Sequence, residues 1–323
     1  MSFSFCGVDL PSNLFLAPMA GVTDRSFRTI ALGLGAGLAF TEMVSAAGLV
    51  RGDRKTLSFL PAPAEAPRVG VQLFGCRPEY LRDAAIIASE LDVPFIDLNF
   101  GCPARKVIRA GCGAALMREP ARVRAILEAV CAVAKKPVLV KIRAGWEDAE
   151  RNAVDTARIA EECGVSAVTV HGRTARQQFA GRADWAMVSA VAQAIALPVV
   201  GNGDIVAAGQ ADAAAREHGC AAVMIGRGAC GNPWIFRDAL RLRRGEEAAP
   251  PSSEELARTM LAHYRLALEE HGERTGVNVM RRHLIWYCRG RAGASEFRRR
   301  ISTMPRPREV MAEIEAFAAA RIP

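Results

Sequence analysis

Short apolar runs alternate with longer amphipathic stretches through roughly the first 230 residues. Eight runs read as buried strands: Leu14 to Ala17, Leu38 to Thr41, Val69 to Leu73, Phe95 to Leu98, Val138 to Ile142, Ala167 to Val170, Val199 to Gly201 and Ala222 to Ile225. Between them the period changes from two to 3.6. Pro78 to Leu91 places Leu81, Ala84, Ala88 and Leu91 on one face. Arg151 to Cys163 stops at Gly164, Asp184 to Ile195 ends before Pro198, and Ala211 to His218 stops at Gly219. Strand–helix alternation with short connections implies parallel strands and right-handed crossovers. Eight such units predict an α/β fold, a closed (β/α)₈ TIM barrel. The rival, a doubly wound open sheet, would want a Gly-rich nucleotide fingerprint after its first strand, and Ala17-Pro-Met-Ala-Gly21 is not one.

Beyond Gly245 the pattern becomes purely helical. Glu246-Glu-Ala-Ala-Pro-Pro251 reads as a linker, and Ser252 with Glu255 as a capping box opening a helix toward His271. Leu256, Met260, Leu261, Tyr264 and Leu268 suit packing on a partner helix, and a last amphipathic stretch runs from Pro307 to Ala319. We therefore expect a barrel over 1–245 and a small all-helical domain over 246–323.

Charge divides along the same boundary. The chain of 323 residues carries +8, yet Arg274 to Arg308 holds ten Arg and one acid, Glu296, a local +9 that leaves the remainder at −1. A near-neutral body with one basic segment suggests a polyanionic partner; the other reading is a solvated basic face. Nine scattered cysteines, an odd number with no C-x-x-C pair, point to reduced thiols and a cytoplasmic location rather than a disulfide framework or a zinc site. No signal-peptide pattern opens the chain and no apolar run reaches membrane-spanning length. A monomer without metal is expected.

In a parallel barrel the C-terminal ends of the strands face one site. Here they deliver Pro18-Met19-Ala20, Glu42-Met43, Gln72, Asn99 with Cys102, Lys141, His171 with Arg173, Asn202-Gly203-Asp204, and Gly226-Arg227. The last two ends carry glycines where backbone N–H groups can approach a phosphate, and Arg227 adds a guanidinium. Glycines needed only for tight turns are the alternative. Cys102 leaves its strand into a Gly/Pro break, three residues after an asparagine and just before Arg105 and Lys106, which is a poor place for a core cysteine.

Six motifs in unbroken order resemble a bacterial tRNA-dihydrouridine synthase, closest to the B-type subfamily. They are Ala17-Pro-Met-Ala-Gly-Val-Thr-Asp24, Asp97-Leu-Asn-Phe-Gly-Cys-Pro103 with Gly111-Cys-Gly113, Lys141-Ile-Arg143, His171-Gly-Arg-Thr174, Gly201-Asn-Gly-Asp204 and Met224-Ile-Gly-Arg227. Arg105 stands where a lysine is usual, which keeps the charge. The resemblance implies an FMN-binding barrel that reduces uridine in the tRNA D-loop with electrons from NADPH. Carried over by position, Cys102 would be the acid. Pro18, Met19, Ala20, Gln72, Lys141, His171, Asn202, Gly203, Asp204, Gly226 and Arg227 would hold the flavin, and Asn99, Lys141 and Arg173 would meet the substrate. Arg281, Arg282, Arg298, Arg299 and Arg300, in the basic segment, are the expected tRNA contacts.

The chemistry stands apart from the resemblance. Saturating the uracil C5=C6 bond takes a hydride at C6 and a proton at C5, and a thiol near its reference pKa of about 8.5 is protonated at neutral pH. A base must leave its stack to reach a flavin in a barrel. Two other functions fit part of the pattern: an FMN-barrel reductase of a free pyrimidine, and a non-catalytic RNA-binding or regulatory barrel. The first leaves the +9 segment without a purpose, and the intact Cys102, Asn99 and Lys141 count against the second.

Overall fold

The computed structural model describes residues 3–319. Eight parallel strands close into a barrel: β1 (Leu14–Leu16), β2 (Ala39–Phe40), β3 (Val69–Phe74), β4 (Ile96–Phe100), β5 (Val138–Arg143), β6 (Ala167–His171), β7 (Val199–Asn202) and β8 (Ala222–Ile225). The order runs β1-β8-β7-β6-β5-β4-β3-β2, and a bridge between Phe15 and Leu38 joins its two ends. Each expected strand is present, with ends moved by at most two residues. The two-residue shift is at β4, which runs on to Phe100, and a different change occurs after β2. There the chain breaks over 41–43 and resumes pairing with β3 through Val44–Ser45, so Glu42 and Met43 sit in an opening of the rim.

Packing inside the barrel follows the strand alternation. Phe15, Phe40, Phe95, Leu139, Ala167, Val200, Ala222 and Met224 fill its lower half. A hairpin of Phe3–Phe5 and Val8–Leu10, which the short N-terminal sequence did not signal, plugs the base. Phe5 packs edge-on against Phe15 and Phe95, and the turn is made by Cys6 and Gly7, both at positive φ. The barrel helices bury their apolar stripes on the outer strand faces, as Leu81, Ala84 and Ala88 of Pro78–Ser89 do.

No strand appears among the described residues after 246. The long helix Ser253–Tyr287 is interrupted at Gly272, whose φ of 74° no β-branched or bulky residue would adopt readily. Ala294–Thr303 and Pro307–Ala319 complete the tail. Ser252 caps the long helix by accepting from Glu255 N–H at 3.1 Å; the Glu255 carboxylate instead takes Arg237 of the barrel at 2.5 Å. Leu256, Met260, Tyr264, Met280, Phe297 and Ile314 form the tail's core together with Trp234, which the barrel side supplies.

The tail is fastened to the rim near β1 and β8. Glu270 accepts from the N–H groups of Arg25 (3.2 Å) and Ser26 (2.8 Å), thereby capping the first barrel helix, Arg25–Gly33, from outside. His271 Nε2 meets Asp24 Oδ2 at 3.0 Å, and Phe27 packs against His263 and His283. A Cβ at Gly231, after β8, would lie 2.3 Å from the Trp286 carbonyl, so that glycine permits the approach. No helix among the described residues is long and apolar enough to cross a membrane.

Candidate active site

Adjacent strands in register bring the predicted groups together. Asn99 of β4 is level with Lys141 of β5, Arg143 with His171 of β6, and His171 with Asn202 of β7. They open on a cavity of about 870 Å³ at the C-terminal mouth of the barrel, a size typical of small-molecule sites. Its lining includes Pro18, Met19, Ala20, Asn99, Cys102, Lys141, His171, Arg173, Asn202, Gly203, Asp204, Gly226 and Arg227. Of the residues given a flavin, substrate or acid role from sequence, Gln72 alone is absent from the lining; of the other strand-end residues, Glu42 is absent too. Gln72 is the deeper of the two. It lies fully buried beneath the lining, donating to Asp97 Oδ2 (2.6 Å) and accepting from Asn99 Nδ2 (2.8 Å).

Asn99 does more than face the cavity. Its Oδ1 accepts from the N–H groups of Gly101 (3.2 Å) and Cys102 (2.9 Å), so the side chain folds the loop that carries the thiol. The second motif glycine supports the same loop. Gly113, at φ +61°, lets Ala114 N–H reach the Cys102 carbonyl at 3.1 Å, and a Cβ there would sit 2.7 Å from that oxygen. Burial pushes the Cys102 thiol above its ordinary pKa, against opposing pulls from the Ala104 N–H, Arg143 and Lys141.

Lys141 Nζ donates to Asn202 Oδ1 at 3.1 Å, and Asn202 Nδ2 donates to the Met224 carbonyl at 2.7 Å. Burial lowers the Lys141 pKa to about 8, with Arg143 adding to the effect and Asp97 opposing it. Asp97, buried below, is raised to about 7 by the same desolvation, and its Oδ1 has no partner. The His171 ring makes no hydrogen bond to the described residues; burial and then the surrounding cations Lys141, Arg143, Arg173 and Arg227 hold it neutral.

The loops after β6, β7 and β8 are tied to one another. Arg173 donates to the carbonyls of Ala180 (3.0 Å) and Gly181 (2.7 Å) and to Asp204 Oδ2 (2.8 Å), while its buried Nη1 is unpaired. Asp204, at φ 51°, also accepts from Ala183 N–H at 2.7 Å. A Cβ at Gly228 would fall 2.1 Å from the Ile205 carbonyl, and one at Gly203 would fall 2.5 Å from Ala183 Cβ. These glycines answer to loop contact as well as to any ligand. Arg227 remains half-exposed, 3.5 Å from Asp204 and 4.8 Å above the Phe179 ring.

Sequence reasoning missed several lining residues. Arg143 shares a face with Lys141 two positions earlier, a signal that was available; its Nε donates to the Gly101 carbonyl at 2.8 Å and steadies the Cys102 loop. Phe179, 54% exposed at the rim between Arg143 and Arg227, lies in a loop without periodicity. Trp286 and Arg289 reach the cavity from the tail, which no barrel pattern could reveal. Of the expected tRNA contacts, Arg282 donates to the Gly21 carbonyl at the rim (3.0 Å) and Arg281 to the Met304 carbonyl (3.2 Å). Arg298 donates to the Ala294 carbonyl, and Arg299 and Arg300 pair with Glu296 at 2.6 and 2.8 Å.

Comparison with known proteins agrees with this geometry. The family model described as "Dihydrouridine synthase (Dus)" matches residues 15–321, across barrel and tail. A probable tRNA-dihydrouridine synthase of Rickettsia bellii is 39% identical over 312 residues, 96% of each chain. The tRNA-dihydrouridine synthase B of Xanthomonas axonopodis pv. citri is 41% identical over 295 residues, covering 91% of this chain and 89% of that one. That of Pseudomonas putida is 39% identical over 314 residues, 97% and 93% respectively. On this similarity the chain belongs to the dihydrouridine synthase family.

Proposed function

We propose that this chain reduces the C5=C6 bond of uridine in the D-loop of tRNA, with FMN held at the barrel mouth and NADPH as the electron source. The observation that carries the reading is the cavity itself: six cations and a single carboxylate line it, and a thiol kept in its protonated form opens onto the same space. Family membership, and the tRNA in the names of its relatives, supply the substrate class.

The residues present suit a flavin phosphate. Arg227 follows Gly226 at the end of β8, half-exposed, and the buried Nη1 of Arg173 lacks a partner. Gly203 and Gly228 keep side chains out of the space between the loops after β7 and β8. Pro18, Met19 and Ala20 offer an apolar wall to a ring system, and Lys141 and His171 face it from β5 and β6. Gln72 would act by holding Asn99 and Asp97 in place from below.

When bound and reduced, the flavin supplies the hydride that uracil C6 accepts. The C5 proton is left to the protein, and Cys102 carries it: desolvation keeps the thiol protonated at neutral pH. The thiolate left behind lies in the field of Arg143 and Lys141, which favours its formation during the transfer. Solvent can then restore the proton, because Cys102 is only partly buried. Charge that develops on a uracil carbonyl needs donors, and Lys141 Nζ and the second N–H of Asn99 Nδ2 are available.

Cys102→Ala tests the assignment. Flavin content and flavin reduction by NADPH should match the unaltered protein, while dihydrouridine formed in tRNA per turnover should fall at least about 100-fold. Reoxidation of the reduced flavin by tRNA at the unaltered rate would remove Cys102 from its role.

A further inference from the structure

The one-turn helix Arg105–Arg109 begins one residue after Cys102-Pro103, with Ala104 as its N-cap, and is anchored by a single buried side chain, Val107. Arg105, Lys106 and Arg109 are all exposed, and none has a hydrogen-bonded or ion-paired acid among the described residues. Their surroundings differ. Arg118 pairs with Glu150 (3.0 Å), Arg122 with Glu119 (3.1 Å), Arg151 with Asp148 and Asp184 (2.8 and 2.6 Å), and Arg176 with Glu147 (2.8 Å). Three like charges on one turn repel one another, so the helix gains from an anion laid across it.

Its position gives the anion a direction. β4, which leads into this helix, stands four strands from β8 in a ring of eight, so the helix lies across the mouth from the docked tail. Arg105 faces the catalytic cavity, whereas Arg109 faces a second hollow of about 810 Å³ on the outer side. That hollow contains Trp146, with the Arg118 guanidinium 5.2 Å from its ring centre.

We propose that the RNA strand flanking the entering uridine leaves the mouth over this lip, setting phosphates on Lys106 and Arg109 and one neighbouring base in the hollow beside Trp146. This rests on the tRNA reading above. A strand with one base in the cavity must pass over some part of the rim, and here the rim offers unneutralised cations followed by an aromatic and guanidinium surface suited to stacking.

The test is tRNA binding by fluorescence anisotropy across a salt series, using Lys106→Ala/Arg109→Ala, its Glu/Glu counterpart and Trp146→Ala. Losing two phosphate contacts on a single strand should flatten the slope of log K against log salt by roughly 1.4 and weaken binding about tenfold near 0.1 M salt, with the Glu/Glu protein weaker still. Trp146→Ala should weaken binding about tenfold with the slope unchanged. Lys106→Arg/Arg109→Lys should bind as the unaltered protein does. Unchanged affinity and slope in the double variants would overturn the proposal. So would a raised KM for NADPH with tRNA affinity intact, which would give the hollow to the electron donor. An unaltered protein that binds tRNA yet forms no dihydrouridine would defeat the functional reading instead, and the variants would still report on the lip.

Discussion

Two regions of this molecule are rich in cations, and they handle charge in opposite ways. At the mouth, Arg105, Lys141, Arg143, Arg173, Arg227 and Arg289 surround a cavity whose one carboxylate, Asp204, is shared between Arg173 and Arg227. In the tail, Glu296 sits between Arg299 and Arg300 and is drawn down to about 2 by their hydrogen bonds, while Arg300 also approaches Glu313 at 3.4 Å. Net charge along the sequence made the tail look like the anion-binding region. Within the tail, Arg299 and Arg300 already share Glu296 and Arg306 pairs with Glu309, which takes up part of that capacity, because a neutralised arginine gives up an ion pair before it takes a phosphate. Segment charge counts residues, whereas binding depends on which of them lack partners.

The strongest challenge to this contrast is at Arg227. Arg227→Ala removes a guanidinium with only a 3.5 Å contact to Asp204, so little native structure depends on it. Flavin affinity should fall about 10- to 100-fold, the range of a charge-assisted contact to phosphate, and activity should return with excess FMN. Equal flavin occupancy at limiting FMN would mean that Arg227 serves something other than the cofactor phosphate.

Much of this was legible beforehand, for a physical reason. A closed parallel barrel forces alternation on its strands and gathers their C-terminal ends, so Asn99, Cys102, Lys141, His171, Asn202 and Arg227 could be placed in one site from their order alone. Gln72 obeyed the same rule yet ended below the cavity, since the register that pairs it with Asp97 aims it into the barrel. Trp286 and Arg289 escaped because their position depends on how the tail docks, which follows from contacts such as Gly231 against Trp286 rather than from any period. The half-formed capping box has a similar origin: Glu255 finds a better partner in Arg237 than in its own helix.

The seam between the two regions holds its own ionic cluster, which makes docking sensitive to pH. His271 is raised by its hydrogen bond to Asp24, with burial opposing and Glu270 and Glu42 adding to the rise. A raised histidine stabilises fully below its unfolded pKa of about 6.5 and loses that contribution as pH climbs through the folded value. Asp24 behaves inversely. Burial alone would raise it, but hydrogen bonds from His271, Ser26 and the Phe27 N–H outweigh this, so its contribution is present above about pH 3.9 and disappears on strong acidification. Glu270 is raised by burial and by Asp24, and therefore costs stability once ionised. His271→Gln should lower Tm by about 2 °C at pH 5.5 and by less at pH 8.5. A deficit that grew with pH would show the cluster working in the opposite sense.

The smallest effect is expected in the tail, where sequence charge alone would forecast a large one. Arg298→Ala, Arg299→Ala and Arg300→Ala together remove three positive charges, but Arg299 and Arg300 are already held by Glu296, and Arg298 donates to the Ala294 carbonyl and Ser295. Their removal also frees Glu296, which at 46% side-chain exposure is readily solvated, so the fold should tolerate the change. If these arginines meet RNA, each must exchange a carboxylate for a phosphate, and the net gain is the difference between two similar interactions. The triple variant should therefore weaken tRNA binding only about two- to threefold and change the salt slope by less than about 1, below the effect at Lys106 and Arg109. Flavin content should be unaltered, since none of the three lines the cavity. A slope change near 2 in the tail variant would mean that the ion pairs around Glu296 open when RNA binds, and that the charge written in the sequence counts after all.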